Sequence, residues 1–117
     1  MMQALLLLLA VLPAQEARPY RLPWEEGTSW LVGQGGMTNG SHKGKWAYDV
    51  MMPEGTKVCA ARGGRVVWVK DDTPDPPPGK AGTGRANGIE IEHPDGTSAQ
   101  YIHIKCKSAR VKPGDVV

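Results

Sequence analysis

Three side chains of this 117-residue sequence have types and an order that suit metal-dependent hydrolysis: His42, Asp49 and His103. Imidazole nitrogens and carboxylate oxygens are ordinary zinc ligands, and a catalytic zinc typically takes three protein ligands and leaves a fourth position for water. Asp49 stands inside the otherwise apolar run of residues 46–52, where a carboxylate requires a charged partner, hydrogen bonds or a metal. Together these residues indicate most of a zinc hydrolase site.

Each histidine taken alone also has an ordinary structural interpretation. His42 lies in a polar stretch, residues 38–44, that is typical of a surface loop. A lone His103 would more often be a hydrogen-bonded strand residue. The third histidine, His93, is expected at the far end of a hairpin from His103, roughly 20 Å away at 3.3 Å per strand residue. We therefore expect His93 to be structural and not a ligand.

The elements that must position these residues are predicted to be strands. Fifteen glycines and ten prolines separate short apolar runs, and no segment after the N-terminus keeps helical periodicity for three turns. The fold class is therefore all-β, a compact antiparallel sheet or barrel-like core. The strand candidates are residues 46–51, 56–61, 65–70, 88–93 and 98–104, with a further strand beginning at 115–117.

Residues 88–104 are predicted to form a β-hairpin. Ile89 and Ile91 alternate with glutamates, and the segment 94–96, Pro-Asp-Gly, supplies the turn. Because residues two apart on a strand share a face, Tyr101 and His103 should project together as one wall of a site. The loop of residues 71–87, rich in Pro and Gly, is long enough to be functional, and we expect it to edge a substrate groove.

Composition limits the other function classes. Fourteen basic against twelve acidic residues give a net charge of +2, spread along the chain, so no nucleic-acid partner is predicted. A looser basic cluster at residues 105–112 suits either a solvated face or an anionic polymer such as a cell wall. Cys59 and Cys106 are not in a Cys-x-x-Cys arrangement; a single disulfide and two separate thiols are both open.

The N-terminus predicts export. Residues 4–12 are continuously apolar and are followed by Pro-Ala-Gln, the pattern of a signal peptide, and the run is too short to span a bilayer. We predict a signal peptide over residues 1–14, a lead-in segment over 15–33, and a location that is secreted, periplasmic or in the cell envelope, without stable membrane insertion after cleavage. The oligomeric state is left open.

The order of motifs from residue 34 onward resembles the lysostaphin/LytM-type zinc metalloendopeptidases. The motifs that carry the resemblance are Ser41-His42, Tyr48-Asp49-Val50, the Met-Pro-x-Gly-Thr-x-Val-x-Ala-Ala-Arg-x-Gly-x-Val-Val pattern of residues 52–67, Asn-Gly-Ile-x-Ile-x-His-x-Asp-Gly over 87–96, Tyr101-x-His103-Ile104, and Val-Lys-x-Gly-Asp-x-Val over 111–117.

This resemblance implies a zinc metallopeptidase domain over residues 34–117 that acts on bacterial peptidoglycan peptides. His42 and Asp49 correspond to zinc ligands and His103 to a catalytic residue. Two departures stand out: six residues separate His42 from Asp49 where many members have three, and the family's His-x-His motif, which holds the third ligand, falls beyond Val117 in the motif order. The 117-residue chain is therefore expected to bind zinc incompletely and to have little or no peptidase activity.

Two alternatives come from other functional classes. One is a non-catalytic module of the same fold that binds cell wall or regulates a hydrolase. The other is a barrel-sandwich carrier domain, suggested by the Val-Lys-Pro-Gly-Asp-Val-Val of residues 111–117. The carrier ranks last because the sequence lacks a Met-Lys-Met type of hairpin for attaching a cofactor.

Overall fold

A computed structural model describes residues 20–117; the predicted signal peptide lies outside this range. The described chain is all-β, with two small antiparallel sheets and a single turn of 3₁₀ helix. Its elements are β1 (Leu31–Gln34), the 3₁₀ turn (Gly40–His42), β2 (Asp49–Met51), β3 (Arg65–Lys70), β4 (Gly88–Glu92) and β5 (Ser98–Ile102).

The larger sheet has the order β3-β4-β5 and contains the core. Val66 and Ile91 are direct cross-strand partners and are the buried apolar residues of the described chain, with 1% and 4% of their surface exposed. This outcome confirms the inward orientation predicted for Ile91. The β4–β5 pair confirms the predicted hairpin, whose turn is closed by a hydrogen bond from the His93 amide to the Thr97 carbonyl oxygen.

A bulge in β3 changes the direction of its side chains. The pairing shifts between Val66, opposite Ile91, and Trp68, opposite Glu90, and leaves Val67 as the extra residue. Because a bulged pair of residues faces one partner residue, the strict alternation of faces is interrupted there. Val66 therefore points to the core, while Trp68 lies beside Glu90 on the opposite face of the sheet.

The outer edge of β3 is covered by the last residues of the chain. Arg65 forms an isolated bridge with Val116. Hydrogen bonds run in both directions between the backbones of Gly64 and Val117, and the Val66 amide donates to the Asp115 carbonyl oxygen. The strand predicted to begin at residue 115 is thus present as this short pairing, and it satisfies backbone groups that an open edge would expose.

The smaller sheet joins β1 to β2, with Val32 opposite Val50 and Gln34 opposite Asp49. Strand β1 was not among the sequence predictions, and the predicted boundary between the lead-in segment and the domain, at residues 33 and 34, falls inside it. Leu31, Val32 and Met51 are all exposed. This sheet therefore has no buried face of its own in the described chain.

Several predicted details differ in the structure. The strand predicted over residues 46–51 is confined to Asp49–Met51. The sheets do not close, so the barrel-like description is wrong. Residues 56–61 are not a strand, because the amides of Cys59 and Ala61 donate to the Pro23 carbonyl oxygen and the Tyr101 hydroxyl and not to a neighbouring strand. Strand β5 ends at Ile102, since the next residue, His103, has a left-handed backbone with φ of 68°.

The 71–87 loop is fixed at its end by a buried amide. Asn87 is 5% exposed; its side chain donates to the Thr73 carbonyl oxygen and accepts from the Thr73 amide. Cys59 and Cys106 are free and half-buried, so the disulfide alternative is not formed. Among residues 20–117, no helix has the length and apolar character needed to cross a membrane.

Candidate metal centre

His42 ends the 3₁₀ turn and is buried, with 7% of its surface exposed. Its Nδ1 lies 3.1 Å from the carbonyl oxygen of Gly35. A carbonyl oxygen only accepts, so this contact is a hydrogen bond in the tautomer that carries the proton on Nδ1. This hydrogen bond fixes the ring orientation and directs Nε2 away from Gly35, the arrangement by which proteins usually hold a metal-ligating histidine.

Asp49 is the first residue of β2, and its Oδ1 lies 3.2 Å from Nε2 of His42. The carboxylate side chain is 56% exposed, in contrast to the buried imidazole. The structure therefore brings together the two residues predicted as metal ligands, which lie seven positions apart in the sequence. The pair is reached from solvent on the Asp49 side.

In the neutral tautomer with the proton on Nδ1, His42 and Asp49 form no hydrogen bond with each other. With the proton on Nδ1, Nε2 presents a lone pair to a carboxylate oxygen that also has only lone pairs to offer. Two facing acceptors repel each other unless a second proton on the imidazole or a cation lies between them. In that tautomer a cation bound between Nε2 and Oδ1 would remove the repulsion.

The two donors fit zinc. Nitrogen and oxygen ligands lie about 2 Å from zinc, so two of them at a tetrahedral angle are roughly 3.3 Å apart, close to the observed 3.2 Å. An imidazolium–carboxylate hydrogen bond has a similar length. Residues 20–117 contain no group of three or more His, Cys, Asp or Glu residues placed to hold a metal. The described chain thus brings together two side chains of types that can ligate zinc.

His42 and Asp49 are positioned by residues that the sequence did not single out. Gln34, opposite Asp49 at the end of β1, donates from its amide to the Asn39 carbonyl oxygen and accepts from the Ser41 hydroxyl. These contacts hold the turn that carries His42 beside the strand that carries Asp49. Gly35 contributes only a backbone oxygen, which leaves no signal in the sequence, and Gln34 gave none because the strand that it ends was not predicted.

His103, the predicted catalytic residue, is exposed and directly follows β5. Its amide donates to the Asn87 carbonyl oxygen, and its left-handed backbone ends the alternation of faces on which the predicted Tyr101–His103 wall depended. The structure does not bring His103 into a metal-holding group with His42 and Asp49.

Tyr101 has a structural contact. Its hydroxyl accepts a hydrogen bond of 2.7 Å from the Ala61 amide. Burial raises the pKa of this phenol, partly offset by the Ala61 hydrogen bond, so it remains neutral at neutral pH. Tyr101 therefore connects β5 to the 56–61 segment and does not supply a reactive oxyanion.

His93 has the surroundings expected of a structural residue. It is 2% exposed, its Nδ1 donates to the Gly63 carbonyl oxygen, and its ring packs edge-on against Tyr20. Arg62 lies over the same tyrosine ring and pairs with Asp95 at 2.7 Å. This cluster joins the turn of the β4–β5 hairpin to the N-terminal end of the described chain.

Comparison of the chain with protein-family models, with curated proteins and with solved structures gave no match.

Proposed function

We propose that residues 34–117 belong to a lysostaphin/LytM-type zinc metalloendopeptidase domain whose substrates are peptides of bacterial peptidoglycan. His42 and Asp49 are the proposed zinc ligands. The observation that carries the proposal is their 3.2 Å contact, with the other imidazole nitrogen held by a backbone carbonyl oxygen. The substrate class and the peptidase reaction come from the sequence resemblance alone.

Zinc in such a site lowers the pKa of a bound water and polarises a carbonyl group. The part played by this chain is to present Nε2 of His42 and Oδ1 of Asp49 on one side of that ion. The Gly35 carbonyl oxygen, 3.1 Å from Nδ1, favours the tautomer that leaves Nε2 free for a metal. His103 is the proposed catalytic residue, exposed at the end of β5, where a substrate has access to it. Two protein ligands make a weak site, so we expect little or no peptidase activity from this chain.

Zinc titration of the 117-residue protein tests the ligand pair. Imidazole ¹H–¹⁵N spectra recorded up to millimolar zinc should show one saturable event that shifts Nε2 of His42 and leaves His93 unchanged. His42→Ala and Asp49→Asn should each weaken binding at least roughly tenfold, the equivalent of about 1.4 kcal/mol. Asp72→Asn is the matched control, because Asp72 is an exposed carboxylate paired with a different cation, Lys70.

Two results would contradict the ligand assignment. One is an absence of saturable binding at any zinc concentration tested, which would leave an imidazolium–carboxylate hydrogen bond as the explanation of the 3.2 Å contact. The other is zinc binding that Asp49→Asn and Asp72→Asn affect equally.

A peptidoglycan assay tests the expected inactivity of this chain. Purified peptidoglycan incubated with the chain and zinc should release no more new amino termini than a zinc blank. Genomic DNA read beyond the codon for Val117 then separates the class from its rival: an in-frame Pro-His-Leu-His-Phe supports the peptidase. A stop codon there favours the non-catalytic wall-binding or regulatory module, to which the two-ligand donor set is also suited.

A further inference from the structure

The proposed zinc ligands are too few within one copy of the chain. A structural zinc takes four protein ligands, and a catalytic zinc takes three and a water, whereas residues 20–117 bring only His42 and Asp49 together in this way. The other two histidines lie elsewhere, since His93 is buried and His103 belongs to no metal-holding group of the described chain. A zinc ion bound by the pair therefore keeps coordination positions for a second molecule.

The pair opens onto an exposed face of the smaller sheet. The Asp49 side chain is 56% exposed, and Met51, two residues further along β2, projects from the same face. Leu31 is the cross-strand partner of Met51 and shares that face with it. Leu31 is 74% exposed and Met51 is 60% exposed. A carboxylate ligand and two large apolar side chains thus lie together on one open surface.

Gly33 lowers this surface beside the ligand pair. It lies two residues after Leu31 on β1, and a Cβ at this position would be 3.0 Å from the sulfur atom of Met51. The Met51 side chain therefore lies across β1 and does not stand upright from the sheet. This arrangement leaves an approach to Asp49 for a large partner.

We propose that one zinc ion joins two copies of this chain at this face, with His42 and Asp49 of each copy as its four ligands. This inference rests on the proposed zinc ligands. A second copy supplies the same nitrogen and oxygen donors, and a two-fold axis through the ion arranges two such pairs as a tetrahedron. The interface is then isologous, and the Leu31 and Met51 side chains of the two copies meet around the metal.

Charge complementarity favours a second copy as the occupant of this face. Zinc carries two positive charges, and the Asp49 carboxylate of one copy neutralises one of them. The same carboxylate of a second copy neutralises the other while both imidazoles stay neutral. The joined site therefore buries no net charge, which removes the main cost of placing an ion between two apolar surfaces.

The metal supplies most of the affinity between the copies. Stable protein interfaces bury about 1,200–2,000 Å² in total, and the apolar part of this face consists of two side chains per copy. The zinc-free chain should therefore be a monomer. Leu31 and Met51 strengthen the contact once zinc has brought the copies together, because their exposed apolar surface then leaves water.

Joining two copies in this way also closes the site. A zinc ion with four protein ligands has no position left for a water molecule and has a structural role. The joined form therefore contains no metal-bound water to attack a peptide. Self-association would thus keep the ligand pair in an inactive state.

The test is sedimentation velocity of the full 117-residue chain, with zinc added from none to two equivalents. The mass should double, the change should be complete at half an equivalent of zinc per chain, and a chelator should restore the monomer. His42→Ala and Asp49→Asn should remain monomeric. Asp72→Asn, at an exposed carboxylate paired with Lys70, is the matched control and should dimerise as the wild type does.

Two neighbouring residues of β1 test which face forms the interface. Leu31 and Val32 are both exposed, at 74% and 47%, but consecutive strand residues point to opposite faces. Leu31→Lys places two further cations beside the metal and should weaken dimerisation at least roughly tenfold, whereas Val32→Lys should leave it unchanged. Circular dichroism checks that both variants are folded, and Met51→Lys replaces Leu31→Lys if that variant is not.

The outcomes separate this inference from the proposed function. Zinc that shifts Nε2 of His42 at one equivalent per chain while the protein stays monomeric would overturn the joined site and leave the ligand pair intact. An absence of zinc binding would overturn both. A zinc-dependent doubling of mass that survives His42→Ala, or that Leu31→Lys and Val32→Lys weaken equally, would overturn the proposed interface alone.

Discussion

The two sheets differ in how much of their apolar surface is buried. The β3-β4-β5 sheet contains the buried pair Val66 and Ile91 and has one edge covered by the last residues of the chain. The β1–β2 sheet carries the candidate metal centre at its Asp49 end but leaves large apolar side chains exposed, Leu31 at 74%. A two-stranded sheet without a buried face is marginal in water. We infer that the larger sheet provides most of the stability and that the smaller one positions the candidate metal centre.

The largest effect should come from Gly64→Ala. A Cβ at this position would overlap the backbone carbonyl oxygen of Glu92 and the side chain of Ile91. Both residues belong to β4, the central strand of the larger sheet. Backbone cannot move aside as a side chain can, so we expect a loss of several kcal/mol, enough to unfold the sheet. Thermal unfolding followed by circular dichroism measures it. Gly82→Ala, whose Cβ would meet only Pro76 at 3.8 Å, is the control and should change little.

The contrast between the sheets is tested most directly by a pair of truncations. Ile91→Ala removes a buried side chain and should lower the free energy of unfolding by about 2–5 kcal/mol. Leu31→Ala removes one that is 74% exposed and should change it by less than about 0.5 kcal/mol. Urea denaturation at equilibrium compares them. Equal losses would mean that the smaller sheet is buried in solution and that the division is wrong.

Zinc should affect the two sheets unequally. At a free zinc concentration of ten times the dissociation constant, zinc binding stabilises the closed form of the site by about 1.4 kcal/mol. The locally open form then becomes roughly tenfold less populated. We expect slower hydrogen exchange for the ladder amides of β1 and β2 and no change for those of β4 and β5. The same experiment on Asp49→Asn should show no zinc effect. Uniform protection of both sheets would indicate that they open as one unit.

The smallest effect concerns Asp95, in the hairpin turn of the larger sheet. Hydrogen bonds from Thr97 and the contact with Arg62 hold the pKa of this carboxyl well below its ordinary value of 3.8. A depressed folded-state pKa contributes stability above the unfolded-state pKa, and the contribution is lost as the pH falls through the folded-state value.

Asp95→Asn should therefore be less stable than wild type at pH 6, and the gap should shrink as the pH falls below about 4. Thermal unfolding across this range follows the gap. Glu92→Gln serves for comparison, because Glu92 is exposed and has no ion pair among residues 20–117. A gap that stays constant down to pH 2.5 would show that Asp95 acts through side-chain shape and not through its charge.

Strong local patterns made much of the larger sheet predictable. Strand β3 was predicted with its observed bounds, and the hairpin followed from the alternation around Ile89 and from the Pro-Asp-Gly turn. The bulge at Val67 was not predictable, because it depends on how β3 registers against β4 and not on the residues of β3 alone. Strand β1 was missed because four residues beside a glycine-rich turn, Leu-Val-Gly-Gln, have too short a pattern to indicate a strand.

The candidate metal centre was predictable in its ligands and not in its support. His42 and Asp49 were selected by motif order, and the structure brings them together. The contact that orients the imidazole comes from a backbone carbonyl oxygen, which any residue at position 35 would supply. His103 was placed on the face of Tyr101 by a strand pattern that the structure does not keep. A single positive φ at His103, invisible in the sequence, ends the strand at Ile102, two residues before its predicted end.

The short path between His42 and Asp49 has a kinetic consequence. These residues are seven positions apart, whereas the Arg65–Val116 bridge that closes the edge of β3 joins positions 51 apart. Since the entropy of loop closure grows with the logarithm of loop length, closing the shorter loop costs about 2 kcal/mol less. During folding, His42 and Asp49 can therefore meet before the long-range pairing that closes the edge of the larger sheet is complete.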